Sequence, residues 1–427
     1  MLSKSLKASV QMSKYSVGSV LLFFVVLNMP AQITKVNLGS ASAEQIDEVS
    51  LEELRKQGIQ WARAASEIAH QYKPSDPPRD GEADIYDKLW LLGDIIEAQG
   101  LLGDVEGLKL TEERLLASLS GFPVEARGFS EIAIARGWAA AGNWDKAKAT
   151  AWNIPMIGDR QNAVAAVAMF QGLAGERGLM LETLEPLYVE IQRYNARLRN
   201  PTEREGLGEQ WAMIIANQAM GGDIEGALEQ AGNINDSMVR QEVDRALVSS
   251  LAASSREADR ALADDILGRL TTLADAERRK EEMERGRGIP DDYPSSLIAR
   301  IDLAAGYSAL GDWDAVEAQL DAYGNHELLL EAFCMAAWHS TSRTPEVVER
   351  KRALWNGAKQ QAADLETQGS KMFHMNALAS VAMGYLNDDT GRLARSYLDE
   401  QTDDILRASV LSGMAWGAEH LVNDTDD

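Results

Sequence analysis

Cysteine is almost missing. The chain of 427 residues holds one, Cys334, which excludes an intramolecular disulfide framework. Its setting, Ala332-Phe333-Cys334-Met335-Ala336, reads as a small buried apolar residue. Histidine is scarce too. His70, His326, His339, His374 and His420 stand far apart without an HExxH or any paired ligand spacing, so no metal site and no cofactor are expected. The sequence also lacks a Walker loop and a GxSxG elbow, and Gly286-Arg287-Gly288 follows no strand, so no catalytic residue is assigned. Basic residues are outnumbered: 42 Lys and Arg stand against 66 Asp and Glu, a net charge of −24. That balance argues against a nucleic-acid partner, because phosphate binding needs clustered Lys and Arg. Beyond the N-terminal region no apolar run reaches the ~20 residues of a membrane-spanning helix.

What is present begins with a leader-like stretch. Lys4, Lys7 and Lys14 precede the apolar run Val17–Leu27, the pattern of a signal peptide and too short to span a bilayer comfortably, with an uncleaved anchor as the alternative. Cleavage is expected after Ala43 or Ala31, leaving no stable membrane span and placing the mature chain in the periplasm or outside the cell. No cysteine follows the apolar run, which excludes a lipid-anchored form. Removing residues 1–43 takes away four lysines and no acid, and moves the charge from −24 to −28. Residues 44–82 then read as an N-terminal helix and a proline-rich linker, Lys73–Glu82, whose three prolines stop any helix.

The rest is organised around one unit, clearest in Ile132–Arg160. Ile132, Ala135, Trp138 and Ala139 group on one helical face. Gly142 breaks the helix, and Trp144 onward starts a second with Ala147 and Ala151 four apart. Small residues on the inner faces let two helices approach to roughly 8–10 Å. A lone hairpin leaves an apolar face uncovered, so another copy must bury it. The turn returns at Gly103-Asp104, Gly222-Asp223 and Gly311-Asp312, separated by 39, 80 and 89 residues along the series Gly103, Gly142, Gly222, Gly311. The longer gaps hold two units each, with degenerate turns expected near Gly178 and Ser254 and a last copy near Asn387. Asp159 and Asp236 are expected to cap the helices that follow hairpin exits. Arg197–Gly208 reads as a polar connection. Arg256–Arg285 reads as the longest helix, with a charged second half in solvent.

Ile134-Ala135, Trp138, Gly142, Trp144 and Ala147, and again Leu303-Ala304, Tyr307, Gly311 and Trp313, carry the spacing of the tetratricopeptide (TPR) repeat, which this chain resembles. A period near 40 is also that of HEAT-type arrays. The resemblance implies an all-α fold, an α-solenoid of about seven to eight stacked helical hairpins in a right-handed superhelix over residues 83–400. Residues 401–427 would form a capping helix and an acidic tail. It also implies a concave groove that binds a protein or peptide partner. Arg136, Arg240, Arg300 and Tyr307 are the candidate binding residues, and the charged helix Glu277–Arg285 is a second surface.

The expected function is therefore a non-enzymatic interaction scaffold. One alternative is a helical-toroid enzyme acting on polysaccharide, for which Glu131 near Trp138, or Asp312 and Asp314 beside Trp313, are the first acids to test. The other is a self-associating structural module.

Overall fold

The computed structural model describes residues 51–73, 85–120, 122–123, 127–195, 201–285, 295–323, 329–340, 344–366, 379–383, 392–401 and 404–423. The expected signal peptide, all of the linker but Lys73, Gly286–Pro290, the expected last turn near Asn387 and the last four residues lie outside them. Among the described residues there are helices and turns and no strand, and none of those helices is long and apolar enough to cross a membrane. The chain is all-α.

The first described helix is α1 (Leu51–Gln71). Seven pairs of helices in contact follow among the described residues: α2 (Ile85–Leu101) with α3 (Val105–Ser118), α4 (Gly128–Ala140) with α5 (Trp144–Trp152), α6 (Ile157–Leu173) with α7 (Arg177–Asn195), α8 (Pro201–Met220) with α9 (Ile224–Gly232), α10 (Ser237–Ala252) with α11 (Glu257–Arg285), α12 (Ser295–Leu310) with α13 (Trp313–Asp321), and α14 (Leu329–His339) with α15 (Pro345–Glu366). Then come α16 (Arg392–Glu400) and α17 (Asp404–Asn423).

Packing follows chain order. Each hairpin's first helix lies against the first helix of the next, from α2 through α4, α6, α8, α10 and α12 to α14. Most of these first helices are buried nearly all round, α10 being exposed at its start: in α4 every residue from Ile132 to Ala139 is buried, as a helix apolar all round its circumference requires. The second helices bury one stripe only. In α5 that stripe is Ala147 and Ala151, and in α9 it is Ala227 and Ala231. The first helices thus make an inner layer and the second helices an outer one.

The turns explain why the pairs form. Gly103, Gly142, Gly175, Gly222 and Gly311 all have φ between 71° and 90°, a conformation that costs any side chain but is free to glycine. At the first turn Gly103 N–H donates to Gly100 C=O at 3.0 Å and Asp104 N–H to Gln99 C=O at 2.8 Å, the paired bonds that close a helix. The residue after the glycine then opens the next helix. Asp104, Asn143, Asp223 and Asp312 each accept from the backbone N–H three residues on, satisfying a donor that has no partner within its own helix.

Three local expectations change. The third turn glycine is Gly175, and Gly178 lies inside α7. Asp159 does not cap α6, whose N-cap is Met156; its carboxylate lies against Gly128, where a Cβ would come within 1.8 Å of it. Pro201 starts a helix within the expected connection, since its fixed φ and missing N–H suit a first helical position. Asp236 does cap α10, accepting from Met238 and Val239 N–H at 3.0 and 3.3 Å. Cys334 is buried. The 29-residue α11 is the longest helix among those described. Its charged end is largely exposed, but Glu281 accepts from Ser296 N–H at 3.0 Å and so ties it to α12.

Candidate functional site

Position relative to the turn acts as a common ruler along the inner layer. Thirteen residues before their turn glycines, Trp90 and Phe129 stack with ring centroids 3.8 Å apart and planes 20° from parallel. Six residues before the same glycines, Glu97 and Arg136 form a two-pronged ion pair, Nε to Oε2 and Nη2 to Oε1, both at 2.9 Å. Nine residues before, Asp94 and Asp302 occupy matching places in α2 and α12. Asp302 faces Arg245 of α10 at 3.7 Å, and Arg245 itself stands nine residues before Ser254. Helices that pack side by side in one register bring equal offsets together, which is why these pairs form.

Two of these seams carry unbalanced charge. Asp94 and Glu97 share Arg136, while Asp302 and Glu242 share Arg245. Burial disfavours the ionised form of a carboxyl, and a second acid beside the same guanidinium adds to that effect. Burial pushes Asp94 up to about 8, with Glu97 adding and Arg136 opposing. Asp302 rises to about 7, again through burial first, with Arg245 opposing and Glu242 adding. Each keeps a limited accessible surface while lying deep among protein atoms. At neutral pH such a carboxyl can donate a proton or a hydrogen bond. The two stand on different seams, since α4, α6, α8 and α10 come between α2 and α12 in packing order.

The residues singled out from the sequence do not form one cluster either: Arg300 and Tyr307 share the α11–α12 seam, and Arg136 and Arg240 lie elsewhere. Arg136 is 2 % exposed and sealed against Glu97. Arg300 is buried; its guanidinium donates to Gln319 of α13 at 2.6 Å and to Asp275 of α11. The Tyr307 hydroxyl meets Thr271 Oγ1 of α11 at 3.0 Å. Arg240, half-buried, donates to Asp244 at 2.7 Å and to Ala231 C=O at 2.8 Å, tying the start of α10 to the end of α9. That last arrangement recurs. Arg127 donates to Phe122 C=O at 3.0 and 2.8 Å, and Arg160 to Ile154 C=O at 3.3 Å, so an arginine opening a first helix repeatedly holds the exit of the preceding hairpin.

The acids weighed for catalysis are dispersed as well. The partner of Trp138 is Glu112, whose Oε2 accepts from the indole N–H at 3.0 Å and from Lys146 at 2.6 Å. Glu131 lies near Asp159 and Arg127; burial raises its carboxyl, Asp159 adds to the rise and Arg127 opposes it. Asp312 is a helix cap accepting from Ala315 N–H at 3.1 Å, and Asp314 is exposed. Among the described residues no three His, Cys, Asp or Glu gather as metal ligands. Glu97, Asp94 and Asp302 escaped sequence reasoning, although for Asp94 and Asp302 an acid nine residues before a turn glycine is a signal a sequence can show. Comparison of the chain with protein-family models, with curated proteins and with solved structures finds no match.

Proposed function

We propose that this chain is an exported, non-enzymatic scaffold, a TPR-like α-solenoid of about seven to eight hairpins that binds a protein or peptide partner in a bacterial envelope compartment. The observation that carries the reading is the serial contact of the inner helices, each on the next, with stacked rings and ion pairs at equal distances from the turns. An array built this way repeats one surface element along its length, and partners read it through side chains that packing leaves free. Arg136, Arg300 and Tyr307 are engaged in the seams, so contact falls first to exposed groups. Trp152, Met156 and Ile157, each 40–45 % exposed at the exit of the second hairpin, are the apolar set to test.

The test has two arms. A full-length chain with a C-terminal reporter is expected in the envelope fraction with a new N-terminus after Ala31 or Ala43, and inside the cell once residues 1–43 are deleted. The mature chain is expected to recover one protein in equal molar amount from an envelope extract, with recovery lost in Trp152→Glu/Ile157→Glu. Retention of the full-length chain in the cytoplasm, or no stoichiometric partner, counts against the scaffold.

The polysaccharide-acting alternative would rest on Asp94 and Asp302, whose carboxyls burial pushes up to about 8 and about 7, the range in which a general acid works. Turnover of an envelope glycan that disappears in Asp94→Asn or Asp302→Asn would establish it. Self-association would be seen as a sedimentation coefficient that rises with concentration.

A further inference from the structure

The two ends of the described chain lie side by side. The C-terminal helix α17 packs along α1 and also against α2, and Trp416 Nε1 donates to Asp94 C=O at 3.2 Å. The α17–α2 contact therefore repeats the contact that each described inner helix from α2 to α12 makes with the next.

The place of α1 follows from three further relationships. Its direction is fixed at both ends: Arg55 Nε donates to Leu102 C=O at 2.8 Å, whereas Lys88 Nζ, at the start of α2, reaches His70 and Tyr72 C=O at 2.9 and 2.8 Å. So α1 runs antiparallel to α2, as an outer helix runs against the inner layer. Its ionic partner is the second sign. Arg63 Nε donates to Asp104, the cap of α3, at 2.8 Å, and Arg177 of α7 donates to Asp223, the cap of α9, at 2.6 Å. In the second case the arginine comes from the outer helix of the preceding hairpin, and in the first it comes from α1. The third sign is the contact face. Gly58, Ala62, Ala65 and Ala69 recur at intervals of four, three and four, and the buried Ala408, Leu411, Ala415 and Ala418 of α17 at three, four and three. A Cβ on Gly58 would come within 2.8 Å of Ala418 Cβ, so the helices touch almost backbone to backbone.

We infer that α1 is the missing second helix of the last hairpin, a clasp from the N-terminal end that seats on α17 and closes the array into a ring. Closure happens within one chain. Lys88 holds Tyr72 beside the first turn of α2, so the twelve residues 73–84 have only a short gap to bridge, and closing a loop of that size costs little. The clasp is also separable. Of the elements described, α1 packs on α17, α2 and α3 and takes one hydrogen bond from α16, Arg395 to Gln57 at 3.2 Å, so its departure uncovers the alanine stripe of α17 and leaves the stacked contacts from α4 to α14 in place. The inference concerns the ring itself and holds whether or not the scaffold reading does.

Hydrogen exchange on the full chain tests it. In Gly58→Leu the side chain has no room against Ala418 and Leu102. Exchange in 51–71 and in 404–423 is expected to rise together, on the order of tenfold, with 128–140 and 157–173 unchanged. Arg63→Ala keeps the packing face and removes the bond to Asp104, and is expected to give the same pattern with a smaller rise. The inference is overturned if 51–71 opens while 404–423 keeps its protection, if both variants lose protection in every helix at once, or if neither variant changes either segment.

Discussion

Glu97 and Arg136 face each other across the seam between α2 and α4, with side chains 3 % and 2 % exposed and two hydrogen bonds of 2.9 Å between them. A buried pair of this kind stabilises less than its geometry suggests, because both charges have left water. Its value lies in register, since only one offset of α4 on α2 brings the two together.

Breaking that pair from one side leaves a charge without its partner. Glu97→Leu or Arg136→Met alone is expected to lower stability by about 3–5 kcal/mol, whereas the double replacement loses less than either. Urea midpoints of the four proteins measure this. Losses that simply add would show that the two charges do not act as a pair.

Glycine has two different duties here, and alanine separates them. A Cβ on Gly142 meets nothing within 4 Å, so Gly142→Ala pays only for a φ of +75°, roughly 1–2 kcal/mol. A Cβ on Gly100 would come within 2.2 Å of Gly137 C=O on the next inner helix, so Gly100→Ala must push α2 and α4 apart. It is expected to cost more than Gly142→Ala and to lower the urea midpoint further. Equal midpoints for the two variants would mean that the inner helices have room to separate at that point.

The caps differ in what they hold. Asn143 accepts a single backbone N–H, from Lys146, and its replacement by alanine is expected to cost about 1 kcal/mol. Asp223 is 3 % exposed and accepts from Gly226 N–H, Gln218 and Arg177. Asp223→Ala leaves Gln218 short of a buried partner and is expected to cost about 2–4 kcal/mol. Thermal unfolding of both variants gives the ranking.

Much of the fold was legible because its punctuation is local. A glycine at positive φ followed by Asp or Asn leaves a two-residue signature, and Gly103, Gly142, Gly222 and Gly311 all carry it. Gly175 was missed because Glu176 follows it and supplies no such cap. Partnerships across the inner layer were not legible in the same way. Arg136 looked free to meet a ligand because its partner stands 39 residues earlier, and nothing local announces Glu97. The stripe Gly58, Ala62, Ala65, Ala69 shows that α1 has a face to bury, but periodicity does not say which helix will cover it. The seat on α17 lies more than 300 residues away.

Burial of the two carboxyls in the seams sets the pH dependence of stability. Asp94 and Asp302 titrate in the folded chain at about 8 and about 7, against an ordinary value of 3.8. The folded state therefore binds protons that the unfolded chain has already released, and stability falls as pH rises from about 4 through those values. His339 works the other way. It is buried and held down to about 4 against 6.5, so its contribution is intact above 6.5 and is lost as pH falls from there toward 4. Between pH 4 and 6.5 the two slopes oppose each other, and above 6.5 only the acids act. Allowing for the solvent that still reaches both carboxyls, stability is expected to drop by about 1–3 kcal/mol between pH 6.5 and 8. Asp94→Asn/Asp302→Asn is expected to flatten that limb, while His339→Gln flattens the acid side and leaves the limb above 6.5 as it is. Urea titrations at half-unit steps from pH 4 to 9 measure all three. A wild-type midpoint that climbs above pH 6.5 would mean that Arg136 and Arg245 keep both acids ionised and that burial is the weaker influence.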